Sequence, residues 1–225
     1  MRENLTRVIE DYLKTIYDLT SSNDRASTNQ IAERMGVTPA SVTNMIQKLA
    51  ATDPPLLDYR KHRGVKLTPE GEKVALEIIR HHRLLEMFLH QTLGYSWDEV
   101  HEEADRLEHV ISENLEERIA TSLGDPRHDP HGDPIPTREL HLPESSEEML
   151  SLVRPSQVVV VQRVRDTDPE LLRYLSEMGI EPEAQLKVVD YSPFDNNLSV
   201  QIGGRAEPVV LGLRVTSQVF VEIVG

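Results

Sequence analysis

The feature that most constrains this 225-residue chain is a change of hydrophobic period. From Leu5 to about residue 152, apolar residues recur three, four and seven positions apart, the spacing of helices that bury one face. From Pro155 they come as short β-rich runs: Val158–Val161, Leu186–Val189, Leu198–Ile202, Val209–Leu211 and Val219–Ile223. Gly, Pro and Asn turns separate most of these runs, and one helical stretch, Pro169–Met178, interrupts them. The expectation is a multidomain α+β protein: a helical portion first, a small antiparallel barrel last.

Helix signals divide the first portion further. Leu5, Val8, Ile9, Leu13 and Ile16 share a face, and a polar turn, Ser21-Ser-Asn-Asp24, follows. Ser27 with Gln30 three residues on reads as a capping box for a short helix that Gly36 ends. Thr38 then caps a second helix with Pro39 at its first position and Val42, Met45, Ile46 and Leu49 on its inner face. Leu56–Arg60 and Val65–Leu67 flank a basic tip, Lys61-His-Arg-Gly64. Thr68 and Pro69 start a long helix to Leu93.

Helix, glycine turn, helix and hairpin in that order make a winged helix-turn-helix, whose second helix enters the DNA major groove N-terminal end first. Thr38, Pro39, Ala40, Ser41, Thr43 and Asn44 fall at that end. Their short side chains can bond phosphates and base edges or pack on a thymine methyl. Lys48 and the wing residues Lys61, His62 and Arg63 would neutralise phosphates.

A second signal follows the long helix. In His101-Glu-Glu-Ala-Asp105-Arg-Leu-Glu108-His109, helical spacing places His101, Asp105, Glu108 and His109 on one narrow face beside Val100, Ala104, Leu107 and Ile111. Ser96–Glu99 reads as a capping box for this helix, which is expected to run to about Ser122. Stacked imidazoles and carboxylates beside an apolar stripe suit a divalent metal better than a solvated surface. Gly124–Pro136 reads as loop and Pro143–Leu152 as a short helix.

Composition narrows the classes. The net charge of −14 looks wrong for a DNA binder, but residues 1–75 carry 11 Lys and Arg against 10 Asp and Glu. The acidity therefore lies beyond the DNA-reading segment, where the metal is placed. There are no cysteines, so disulfides and thiolate sites are excluded, and the cytoplasm is the expected location. No run of about 18 apolar residues is present, so no membrane span is expected. The first residues, charged and amphipathic, show no apolar signal core. No HExxH, glycine-rich phosphate loop or nucleophile motif occurs, which argues against an enzyme.

Nearly the whole chain resembles the diphtheria toxin repressor family of metal-activated repressors, and within it the manganese-responsive branch. The resemblance is carried by Glu10-Asp-Tyr-Leu-Lys-Thr-Ile-Tyr17, Val42-Thr-Asn-Met-Ile-Gln-Lys-Leu49, His82-Arg-Leu-Leu-Glu86, Val100-His-Glu-Glu-Ala104, Leu107-Glu-His109 and Pro130-His-Gly-Asp-Pro-Ile-Pro136. It implies a winged-helix DNA-binding domain (1–75), a helical dimerisation and metal-binding domain (76–142), a linker (143–154) and an SH3-like, FeoA-like domain (155–225). It also implies a primary metal site on Asp11, Asp105, Glu108 and His109. An ancillary site would draw on His82, Glu86 and His101, with Asp129 and His131 of the loop, and one of Asp166, Asp168 or Glu170.

Iron-sensing members carry Met in place of Asp11 and Cys in place of Asp105. Carboxylates here favour Mn²⁺ as cofactor, with Fe²⁺ a second activator. The implied partners are double-stranded operator DNA of near-palindromic form and a second copy of the chain. The alternative is a winged-helix regulator answering to a non-metal small molecule, which would not need the carboxylate–imidazole face. His81, His90, His128 and His141 read as structural or solvent-exposed.

Overall fold

The computed structural model describes residues 5–21, 24–143, 148–165 and 168–225. The chain forms two compact units. The first comprises Met1–His81 with the short segments Glu108–Ile111 and Arg138–His141. The second comprises His82–Leu107, Ser112–Thr137 and Leu142–Gly225.

In the first unit, α1 (Arg7–Ser21), α2 (Thr28–Met35) and α3 (Pro39–Ala50) precede an antiparallel hairpin of β1 (Leu57–Arg60) and β2 (Gly64–Leu67). The caps act as the sequence indicates. Ser27 accepts from Gln30 N while the Gln30 side chain accepts from Ser27 N, and Gly36 ends α2 at φ +65°. Thr38 accepts from Ser41 N at the start of α3. Leu13, Ile16, Ile31, Val42, Ile46, Leu49 and Val65 close one core. Each such side chain contributes about 1.5–3 kcal/mol on burial. The core thus holds α3 with its N-terminal end facing outward: Thr38, Pro39, Ala40, Ser41 and Asn44 are exposed.

In the second unit, the latter part of α4 (Pro69–Leu93) is followed by α5 (Val100–Leu107) and α6 (Glu113–Ser122). The single helix expected over these last two is broken. Glu108–Val110 form a turn, and Ser112 restarts the helix by accepting from Leu115 N. Buried polar contacts of Glu108 and His109, described below, supply the reason. Glu108 and His109 therefore sit on a turn rather than on the helical face that carries His101 and Asp105.

The C-terminal sheet is antiparallel, in order β6 (Val209–Leu211), β5 (Asn197–Ile202), β4 (Gln185–Ser192), β3 (Val158–Val164), β7 (Val219–Ile223). Its edge strands do not pair with each other, so the small barrel is open. The helix α7 (Pro169–Met178) buries Leu172 and Leu175 in the same core as Val159, Val161, Leu186, Val188, Leu198 and Val200. Trp97, the chain's one tryptophan, belongs to that core. A short helix, α8 (Leu213–Thr216), was not indicated by the sequence. Of the helix expected over 143–152, residues 144–147 lie outside the described set, and Leu150–Leu152 form one 3-10 turn. Among the described residues no helix is long and apolar enough to cross a membrane.

Candidate metal centres and DNA-reading surface

In the first unit, α1 presents Glu10 and Asp11 to the turn that carries Glu108 and His109. His109 Nε2 lies 2.9 Å from Asp11 Oδ1 and 3.2 Å from Glu108 Oε1. On the other side of the ring, Nδ1 is 2.6 Å from Glu10 Oε2. Lys14 Nζ donates to Glu108 Oε2 at 2.8 Å, and His81 Nδ1 donates to the Glu108 carbonyl at 3.1 Å. These contacts pull the 108–109 backbone out of helix. Glu108 is 1% exposed, so its charge needs these partners. Burial alone would lower the His109 pKa. The carboxylates of Asp11 and Glu10 and the charge of Glu108 outweigh it and hold the imidazole above its ordinary value.

The second unit holds another group. Glu86 is fully buried. Its Oε1 lies 2.9 Å from His82 Nε2 and 3.1 Å from His101 Nδ1. His131 Nδ1 approaches Glu86 Oε2 at 3.8 Å and Asp129 Oδ1 at 4.0 Å. His82 and Glu86 stand one turn apart on α4, and His101 opens α5. The loop is shaped by Asp129 Oδ1, which accepts from His131 N and Asp133 N. His131 Nε2 donates to the Trp97 carbonyl at 2.6 Å, because a carbonyl can only accept. That fixes Nδ1 as the ring nitrogen turned toward Glu86.

The two buried carboxyls titrate apart. Burial pushes both up. Glu86 is nevertheless held well below the usual range by the charge of His82 and by its hydrogen bonds with His101 and His82, with His131 close by. Asp129 rises well above the usual range, because burial is reinforced by the charges of Glu86 and Asp133.

Both groups fit a divalent cation. His109 Nε2 lies against two carboxylate oxygens yet is aligned for a hydrogen bond with neither. Among the described residues Glu86 Oε2 and Asp129 Oδ2 are buried and accept no hydrogen bond, with Arg83 Nε 3.6 Å from Asp129 Oδ2. Asp11, Glu108 and His109 each offer one donor atom within 4.8 Å of the others, as do His82, Glu86 and His101, and Glu86, Asp129 and His131. The donors are oxygen and imidazole nitrogen only.

Asp105, expected with Asp11, is placed beside the second group: Oδ1 lies 3.3 Å from His82 Nδ1 and Oδ2 lies 3.7 Å from His101 Nε2. Of the three acidic residues considered as a further ligand, Asp168 caps α7 by accepting from Glu170 N and Leu171 N. Glu170 lies exposed in the first turn of α7, and Asp166 lies outside the described residues.

Sequence reasoning overlooked Glu10 and Trp97. Glu10 shares a face of α1 with Leu13 and Tyr17, and a carboxylate on an apolar face was the available signal. No local pattern announces the Trp97 carbonyl, which meets His131 34 residues away.

The residues expected to read DNA lie at the start of α3 and at the hairpin tip. Thr38 and Ser41 hydroxyls lie 3.0 Å apart at the α3 N-terminus, and Thr43 Oγ1 turns back to Pro39 O. Lys48 is exposed on α3, and Lys61, His62 and Arg63 are exposed at the hairpin tip, with His62 at φ +64°.

Three family models match the chain: "Iron dependent repressor, N-terminal DNA binding domain" over residues 4–65, "Iron dependent repressor, metal binding and dimerisation domain" over 68–137 and "FeoA domain" over 149–223. The chain is 35% identical to the iron-dependent repressor IdeR of Mycobacterium leprae over 207 residues, 86% of this chain and 88% of that one. It is 39% identical to the HTH-type transcriptional regulator MntR of Geobacillus kaustophilus over 114 residues, 51% of this chain and 79% of that one. Among solved structures, a manganese-dependent transcriptional repressor in complex with manganese superposes with a TM-score of 0.88 at 39% identity, covering 96% of this chain and 100% of the other. With a DNA-binding domain, a metal-binding and dimerisation domain and a FeoA domain in this order, the chain belongs to the diphtheria toxin repressor family of metal-dependent transcriptional repressors, which are not enzymes.

Proposed function

We propose that this chain is a manganese-responsive repressor, activated also by Fe²⁺, that binds a near-palindromic operator as a cytoplasmic homodimer when metal-loaded. The observation that carries the reading is the sulfur-free group of Asp11, Glu108 and His109, built partly on α1 of the DNA-binding unit. Hard oxygen donors favour Mn²⁺ over softer metals, and zinc, higher in the affinity series, would have to be discriminated by geometry. A divalent cation bound there supplies the positive charge that lets Asp11 and Glu108 share one site with a neutral imidazole.

The chain's own residues do the rest. Asp11 ties α1 to the turn carrying Glu108 and His109, which limits the conformations open within that unit. Metal binding then shifts a population instead of creating a new shape. Asp105 belongs to this set as the sequence reading has it. His82, Glu86, His101, Asp129 and His131 form the ancillary group. Thr38, Pro39, Ala40, Ser41, Thr43 and Asn44 address the groove, and Lys48, Lys61, His62 and Arg63 address phosphates.

The test is fluorescence anisotropy with labelled operator DNA under Mn²⁺, Fe²⁺, Zn²⁺ and EDTA, beside ultracentrifugation. Metal-dependent binding by a dimer, with Mn²⁺ effective at lower occupancy than Zn²⁺, supports the reading. Binding indifferent to metal would favour a regulator answering to an organic effector.

A further inference from the structure

We propose that Glu10 is a positioning residue for the metal centre. Its carboxylate holds the Nδ1–H of His109 and so turns the Nε2 lone pair toward Asp11 and Glu108. The inference rests on the metal reading above and adds a residue which that reading does not use.

A carboxylate only accepts hydrogen bonds, so the 2.6 Å contact between Glu10 Oε2 and His109 Nδ1 places the hydrogen on Nδ1. In the neutral ring the other nitrogen then keeps its lone pair. That nitrogen, Nε2, faces Asp11 Oδ1 at 2.9 Å and Glu108 Oε1 at 3.2 Å. Consecutive residues of α1 thus reach opposite edges of one imidazole: Glu10 directs it and Asp11 shares its donor face.

Burial separates the two roles. Glu10 is 4% exposed, whereas the Asp11 side chain is 37% exposed. Ionised carboxylates are rarely so buried without a specific task. A metal-bound histidine commonly donates its second N–H to such a carboxylate, which fixes the tautomer and raises ligand basicity. The rival account makes Glu10 a latch that pairs with protonated His109 and opposes metal. The two accounts predict opposite changes in affinity.

The experiment measures Mn²⁺ affinity by calorimetry for the full-length protein and its Glu10→Ala and Glu10→Gln variants. The His109 tautomer is read in parallel from long-range ¹H–¹⁵N NMR at a pH where the ring is neutral. Wild type should show the Nδ1–H form. Glu10→Gln, whose amide oxygen still accepts, should keep that tautomer and lose less affinity. Glu10→Ala should mix the tautomers and weaken Mn²⁺ by about 10–100-fold. An Nε2–H tautomer in wild type overturns the proposal. So does a Glu10→Ala variant that binds Mn²⁺ as well as or better than wild type. If Glu10→Ala fails to fold, the wild-type tautomer and the Glu10→Gln affinity decide. An Asp11→Ala control separates the two levels: unchanged Mn²⁺ binding there overturns the metal centre itself.

Discussion

Lys14 Nζ lies 2.8 Å from Glu108 Oε2, so an ammonium on α1 helps to balance the most buried carboxylate of the proposed primary metal group. Lys14 holds one oxygen of Glu108, while Oε1 faces His109. The group therefore keeps part of its charge balance without metal. This tempers the repulsion expected where carboxylates crowd together.

Replacing Lys14 by Met should cost about 1.5–3 kcal/mol of stability in EDTA, the scale of a lost hydrogen bond to a charged group. Saturating Mn²⁺ should recover part of that loss, because it binds the folded state. Urea denaturation with and without metal measures both. Equal stability of variant and wild type in EDTA would show that Lys14 does not balance Glu108.

Asp11→Ala should leave the fold intact, since its side chain is half-buried at a helix surface. It should abolish metal-stimulated operator binding. Asp11 is the proposed ligand that joins α1 to the turn, and a lost tenfold stimulation corresponds to about 1.4 kcal/mol. Anisotropy titrations in Mn²⁺ and EDTA would show coincident curves for the variant and separated curves for wild type. A variant that still separates them would remove Asp11 from the site.

The hairpin offers a test by pH. Arg25 donates to the Asp58 carboxylate and holds its pKa below the usual value, helped by the charges of Arg60 and Lys66. Arg25 also reaches the Asp58 carbonyl at 3.0 Å. A depressed folded pKa stabilises the protein above the unfolded value of about 3.9, and the benefit is lost as pH falls through the folded value. The urea midpoint of the N-terminal unit should therefore drop between about pH 5 and about pH 2, and Asp58→Asn should flatten that limb. A variant with the wild-type acid limb would show that the pair is screened out.

Local signals made most of this fold legible. The Ser27 box, the Thr38 cap with Pro39 and Gly36 are short-range and fix α2 and α3. The break at Glu108 was not legible. Residues 107–112 carry no glycine or proline, and the break follows from Lys14, Glu10 and His81, distant in sequence. His82, Glu86 and His101 were named from resemblance, but Glu86 as the shared centre of three imidazoles emerges only from packing.

The loop that carries His131 depends on a close backbone approach. Gly132 has φ +87°, and a Cβ there would meet the Gln162 carbonyl oxygen of β3 at 1.9 Å. Beside it Val164 N donates to His131 O at 2.8 Å, and Arg163 donates to Asp133 Oδ1 at 3.3 Å. Gly132→Ala should therefore lift the loop from β3 as well as strain the backbone. The left-handed conformation alone costs an alanine about 1–2 kcal/mol. Gly36→Ala supplies the control: φ is +65°, but nothing lies within 4 Å of the added carbon. Because His131 stacks on Trp97 with centroids 5.7 Å apart, tryptophan fluorescence reports the loop directly. Gly132→Ala should destabilise the protein more than Gly36→Ala in urea, and it should alter the native Trp97 emission and its response to Mn²⁺. Equal losses for the two variants, with unchanged emission, would show that the approach of Gly132 to β3 does not hold His131 in place.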